Sequence, residues 1–139
     1  MVLEHLIGVA ATLPLPDTGV MVHDLRIYLG ATCFGWTTGG TGPVVAALMA
    51  HAQIDEHFGA RFYHELIAGR RAALKSILSR GQVRGELPPG RDLDLLLDLI
   101  YGPLWYRLLL HHAPLDDGFI EQLLDALDLL PPGREESGG

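Results

Sequence analysis

The sequence predicts an all-α fold, an antiparallel helical bundle, and three observations carry that prediction. Apolar residues in every long stretch recur at spacings of three, four and seven. The breaks between stretches are built from Pro, Gly and helix-capping Asp or Thr. No stretch alternates as a half-buried strand does, and no internal repeat stands out.

The first helix is expected over Val2–Leu13, with Leu3, Leu6, Ile7 and Ala10 on one side and Pro14 and Pro16 ending it. No capping residue precedes its apolar pattern, so it reads as the end of a longer helix. Asp17 or Thr18 can cap a second helix, whose apolar positions include Val20, Leu25, Tyr28, Leu29, Thr32, Cys33 and Trp36. The run Thr37-Thr38-Gly39-Gly40-Thr41-Gly42 stops it. That run lacks the Lys of a phosphate-binding Gly-rich loop and reads as a plain connection. Pro43 suits the start of a short third helix ending near Gln53. Asp55 caps a long fourth helix with Phe58, Phe62, Leu66, Ala73, Leu74, Ile77, Leu78 and Gly81 inward. Arg61, His64, Glu65, Arg71 and Lys75 are expected on its outer side.

After Gly85, Pro88, Pro89 and Gly90, Asp92 caps a fifth helix that is apolar on almost every side. Placed on a wheel, Leu93, Leu97, Ile100, Leu104 and Leu108 form one apolar face, and Leu95, Leu99, Tyr106 and Leu110 a second. Asp94, Asp98 and His112 share a third sector. A helix with two apolar faces needs two covers, here the domain's own core and a partner. Pro103 removes one backbone hydrogen bond and is expected to kink the helix. Asp116 or Asp117 caps the last helix, with Phe119, Ile120, Leu123, Leu124 and Leu127 as its stripe. Residues 131–139 read as a disordered polar tail.

The length of 139 residues fits one domain. A net charge of −7 argues against this chain gripping a phosphate backbone. Arg61, Arg70, Arg71, Lys75, Arg80, Arg84 and Arg91 read as a solvated helix face plus a loop. The single cysteine, Cys33, excludes an intrachain disulfide framework. With no long apolar span and no basic-then-apolar leader, the expectation is a cytoplasmic protein without a membrane partner.

No catalytic set can be assembled. Ser76, Ser79 and Ser137 stand at no sharp strand-to-helix turn, and Asp94 with Asp98 reads as a solvated pair. His51, His57 and His64 invite a metal or haem reading, but no HExxH or Cys-His grouping exists, and neither metal nor cofactor is expected. The aromatic residues of three helices either fill a plain core or converge on an apolar cavity of the kind that binds small molecules.

Three segments resemble the C-terminal domain of TetR-family transcriptional repressors. They are Ala72 through Arg84-Gly85-Glu86-Leu87 with Asp92, then Tyr101-Gly102-Pro103-Leu104-Trp105-Tyr106-Arg107, then Pro114-Leu115-Asp116. Asp17-Thr18-Gly19 with Asp24-Leu25 is similar to the start of that domain's first long helix. The resemblance implies a homodimer whose last two helices pair across subunits in a four-helix seam. It implies a helical domain that binds a small effector, and an N-terminal helix-turn-helix that binds operator DNA. Effector binding then moves the helix linking the domains and alters the reach between two recognition helices, which must match half-sites about 34–36 Å apart.

This chain shows no helix-turn-helix, so operator DNA is expected to be reached only through a domain missing from it. Residues 1–13 then read as the end of the linking helix and 14–130 as the ligand-binding and dimerisation domain. The expected ligand wall is Tyr28, Thr32, Cys33, Trp36, Met49, Phe58, Phe62, Leu66, Tyr101 and Trp105, suited to an apolar or aromatic effector. The expected dimer seam is Leu95, Leu99, Tyr106 and Leu110 with Phe119, Leu123 and Leu127. The alternative is a helical interaction and dimerisation module with a filled core and no small-molecule ligand.

Overall fold

Three helices of this chain start on acidic side chains that accept from otherwise unpaired backbone N–H groups. Asp55 accepts from the Phe58 amide, Asp92 from those of Asp94 and Leu95, and Asp116 from that of Phe119. The computed structural model describes residues 2–13 and 15–131. Among these the chain is all-helical: α1 (Val2–Thr12), α2 (Met21–Trp36), α3 (Gly42–Ile54), α4 (Glu56–Phe62), a π turn (Tyr63–Ile67), α5 (Ala68–Val83), α6 (Leu93–Leu110) and α7 (Asp117–Ala126). Pro14 and the expected tail from residue 132 on lie outside the described residues.

The start of α2 corrects the sequence reading. Neither Asp17 nor Thr18 caps it; the helix begins at Met21, after a left-handed Gly19. Asp24, fully buried, turns back to accept from both the amide and the hydroxyl of Thr18, each at 2.8 Å. The Met21 amide is satisfied from far along the chain, by Glu86 at 3.0 Å. The Arg84-Gly85-Glu86-Leu87 turn thus has a physical role. Gly85 takes a positive φ, Glu86 anchors α2 while pairing with Arg84, and Leu87 enters the core.

The long fourth helix is interrupted. A π turn accommodates one extra residue, so every side chain after it is rotated relative to an unbroken wheel. Leu74, Ile77 and Leu78 beyond the turn are nonetheless buried as expected, and Arg71, expected outward, is half-buried at the edge of their stripe and pairs with Asp98 of α6 at 2.7 Å. The basic cluster is likewise a set of ties between elements: Arg61 to Glu4, Lys75 to Asp94, and Arg80 to the Pro16 carbonyl.

The main core lies among α2, α5, α6 and α7, with Leu25, Leu29, Leu74, Ile77, Leu78, Ile100, Leu104 and Leu124 fully buried. Gly81 permits the α2–α5 approach, since a Cβ there would overlap the Met21 side chain. A second, smaller cluster gathers Leu3, Leu6, Val45, Phe62, Leu66 and Leu108 beneath α1. Helix α6 runs through Pro103 without ending, and His111 in a left-handed conformation closes it. Arg107 then fastens the corner, donating to the Pro114 carbonyl and covering the Phe119 ring at 4.0 Å.

Candidate functional site

Between the two clusters a cavity of about 310 Å³ remains unfilled. That volume is at the lower end of the range in which small-molecule sites fall, roughly 300–1,000 Å³. One wall is α1, through Leu6, Val9 and Ala10, with Leu13 just beyond its end. The second is α2, through Ala31, Thr32, Gly35 and Trp36. The π turn and the start of α5 supply Leu66, Ile67, Arg70 and Arg71. Helix α6 supplies Asp98, Tyr101, Gly102 and Trp105, and Thr41 and Val45 complete the lining.

The polar groups of this lining are few and mutually braced. The Arg70 guanidinium donates to the Thr32 hydroxyl at 3.1 Å and lies 4.5 Å above the Tyr28 ring. Thr32 in turn donates to the Tyr28 carbonyl. The hydroxyls of Tyr28 and Tyr101 are 3.1 Å apart, and both reach the Arg70 carbonyl, at 2.9 and 3.1 Å. Burial pushes both phenols above their ordinary range, so they stay neutral at physiological pH. The Arg71–Asp98 pair is the charged pair of the lining, and Asp98 is largely exposed. At the other end the rings of Trp36 and Trp105 meet with centroids 5.4 Å apart.

Five of the ten residues expected at the ligand wall line this cavity: Thr32, Trp36, Leu66, Tyr101 and Trp105. Tyr28 and Cys33 do not; each is only 2 % exposed and sits in the main core behind the wall. Burial pushes the Cys33 thiol up to about 11, with Asp117 and Asp116 adding to the shift. Met49, Phe58 and Phe62 belong to the smaller cluster, away from the lining. Sequence reasoning missed the α1 wall, Arg70, Asp98 and Gly102. The α1 stripe was legible, but nothing in its spacing says that it faces a void. Arg70 lies four residues after Leu66 and four before Leu74, on the inward stripe, and reads from sequence only as part of a solvated basic face.

On α6, Leu95, Leu99, Tyr106 and Leu110 are between 43 % and 61 % exposed, an apolar face that the described residues do not cover. The structure places Phe119 and Leu123 elsewhere than the surface: they are 6 % and 7 % exposed and pack in this chain's own core, with Leu127 half-buried beside them. Their spacing marks a buried stripe, and the α7 stripe lies in the main core of the same chain, packed against α2. A wider depression of about 590 Å³ lies beyond Trp36, at the corner between α6 and α7. Among the described residues, no three His, Cys, Asp or Glu side chains cluster as metal ligands do, and no helix is long and apolar enough to cross a membrane.

Residues 15–127 match the family model described as the tetracyclin repressor-like, C-terminal domain. The chain is 32% identical over 112 residues to an uncharacterized HTH-type transcriptional regulator, YdeS, of Bacillus subtilis (strain 168). That alignment takes in 81% of this chain and 56% of the relative, so the chain spans little more than half of the relative's length. The crystal structure of the TetR family transcription regulator SCO0332 superposes with a TM-score of 0.81 at 31% identity, covering 89% of this chain and 69% of that one. The described fold, the matched family model and these two regulators agree, and the chain belongs to the TetR family, as a C-terminal domain of its transcriptional regulators.

Proposed function

We propose that the chain is the effector-sensing and dimerisation domain of a TetR-family repressor, and that the cavity between α1, α2, the π turn and α6 is its effector site. The observation that carries this reading is the make-up of the walls. Leu6, Val9 and Ala10 of α1 close a cavity whose other walls belong to the body of the domain. A ligand there pushes directly on α1, the segment that in full-length regulators of this family leads from the DNA-binding domain. The two states of the repressor then differ in where α1 sits, and ligand and operator bias them in opposite directions. The mostly apolar lining favours an apolar or aromatic effector. Gly102 supplies the test, because a Cβ there meets nothing within 4 Å. Gly102→Leu fills the space. In a thermal-shift panel of small aromatic compounds, binders should raise the melting temperature of the parent chain and leave Gly102→Leu unmoved. Equal shifts in both would place the binding elsewhere.

The homodimer is part of the same reading. The α6 face of Leu95, Leu99, Tyr106 and Leu110 supports a subunit seam, bordered by α7. Because Phe119 and Leu123 lie in the chain's own core, a charge at either would unfold the domain rather than part the subunits. Leu99→Glu is the cleaner probe. It should give a folded monomer by analytical ultracentrifugation, and a dimer that persists would remove α6 from the seam.

A further inference from the structure

We propose that the cavity takes an organic acid: an apolar, aromatic body joined by a short spacer to one carboxylate, which sits on the Arg70 guanidinium. The proposal rests on the cavity being the effector site. Two observations carry it.

The first is the state of Arg70. Of the two arginines in the lining, Arg71 is engaged by Asp98 at 2.7 Å. Arg70 has no carboxylate within salt-bridge distance among the described residues; its side chain donates to the neutral Thr32 hydroxyl and rests on the Tyr28 ring. Thr32 is itself fixed by its bond to the Tyr28 carbonyl, so the guanidinium is held in place and its remaining donors have no acceptor among the described residues. A half-buried cation facing a largely apolar space lacks a counter-charge, and a planar fork of N–H donors matches a carboxylate in shape. With two arginines against one aspartate, the lining carries one excess positive charge.

The second is the order of groups along the two long walls. On α2, Thr32 is followed one turn later by Trp36; on α6, Tyr101 is followed one turn later by Trp105. The two hydroxyl-bearing ends adjoin, since Tyr101 meets Tyr28 and Arg70 while Arg70 meets Thr32. The two tryptophans adjoin as well. The cavity is therefore polar at one end and aromatic at the other, with about one helical pitch, roughly 5.4 Å, between them. An arylacetic acid has that layout. A neutral aromatic leaves Arg70 unpaired, and an amine meets like charge.

Titration calorimetry with 1-naphthaleneacetate, its uncharged amide 1-naphthaleneacetamide, and naphthalene tests the proposal on the full chain. The acid should bind about tenfold or more tightly than the amide, as expected for a charge-assisted pair. Arg70→Met should abolish that preference while leaving the amide nearly unaffected, and Arg70→Lys should retain part of it. Should Arg70→Met fail to fold, the acid-to-amide ratio of the parent chain and of Arg70→Lys decides. Equal binding of acid and amide, or a preference that survives Arg70→Met, overturns the organic-acid proposal and leaves the effector cavity standing. Binding of naphthalene with neither derivative does the same. Failure of all three compounds overturns both readings.

Discussion

The main core and the cluster beneath α1 are built from the same residue types and filled to different degrees. In the first, Leu25, Leu29, Leu74, Ile77, Leu78, Ile100, Leu104 and Leu124 are all fully excluded from solvent. In the second, only Leu3, Leu6, Val45, Phe62, Leu66 and Leu108 are buried, and most of the apolar residues packed around them are partly exposed. Trp36 and Leu115 touch both clusters, and the cavity opens where the two fail to meet. On the proposed function, the ligand site is not marked by unusual residues. It can be made by leaving one of two ordinary cores unfinished, with the mobile element of the proposed mechanism as its lid.

The contrast should be largest in leucine truncations. Leu25→Ala, at a site with no exposure, should cost about 2–5 kcal/mol in denaturant unfolding, because transfer and cavity terms add. Leu6→Ala borders a space that is already empty, so the transfer term dominates and the cost should stay under about 2 kcal/mol. Equal costs would mean that the cluster beneath α1 is as tightly packed as the main core.

Two glycines sharpen the same comparison by the size of their effects. Gly81→Ala drives a methyl group into Met21 and should destabilise by about 1–3 kcal/mol. Gly102→Ala, inside α6 with open space before it, should change stability by less than about 1 kcal/mol, because the gain in helix propensity is offset by the crowding of the new Cβ against the Pro103 ring. Thermal or chemical unfolding of both variants reads the difference directly.

The last effect is with pH and is absent below about pH 9. Burial raises the folded-state values of Cys33, from an ordinary 9.0 to about 11, and of Tyr28 and Tyr101 above 10.0. Groups raised in the folded state support folding fully below their unfolded values. That support is lost as pH climbs through the folded ones, because the unfolded chain ionises first. The melting temperature should therefore hold up to about pH 9 and fall beyond it, and a Cys33→Val variant should fall less between pH 9.0 and about 11. A loss of stability that Cys33→Val leaves unchanged would take the thiol out of the sealed core.

Much of this was legible in the residues. Local capping was readable because it is a short-range event: Asp55 and Asp92 start their helices as expected. The two faces of α6 also separated correctly, with Leu97, Ile100, Leu104 and Leu108 buried and Leu95, Leu99, Tyr106 and Leu110 exposed. The start of α2 was not readable, because its acceptor, Glu86, is 65 residues away. Arg70, four residues after Leu66 and four before Leu74, falls on the inward stripe even of an unbroken wheel, and it is missed because a basic residue there reads as a solvated one. Burial alone does not say whose core a stripe enters, which is why Phe119 and Leu123 could be set at a subunit seam and are found inside the chain. Tyr28 and Cys33 fell behind the wall for a related reason. They precede Thr32 and Trp36 on neighbouring faces of α2, and spacing does not resolve which of those faces meets a void.

The central claim, that the cavity is where a small molecule enters, has a built-in reporter. The chain has two tryptophans, Trp36 and Trp105, and both line the cavity. Trp36 also borders the corner depression and Trp105 does not, so a Trp36→Phe variant leaves one fluorophore that reports on the cavity alone. Titrating that variant with a compound shown by calorimetry to bind should change the Trp105 emission saturably, at one equivalent per chain. Emission that stays constant while the calorimeter records full binding would contradict the account.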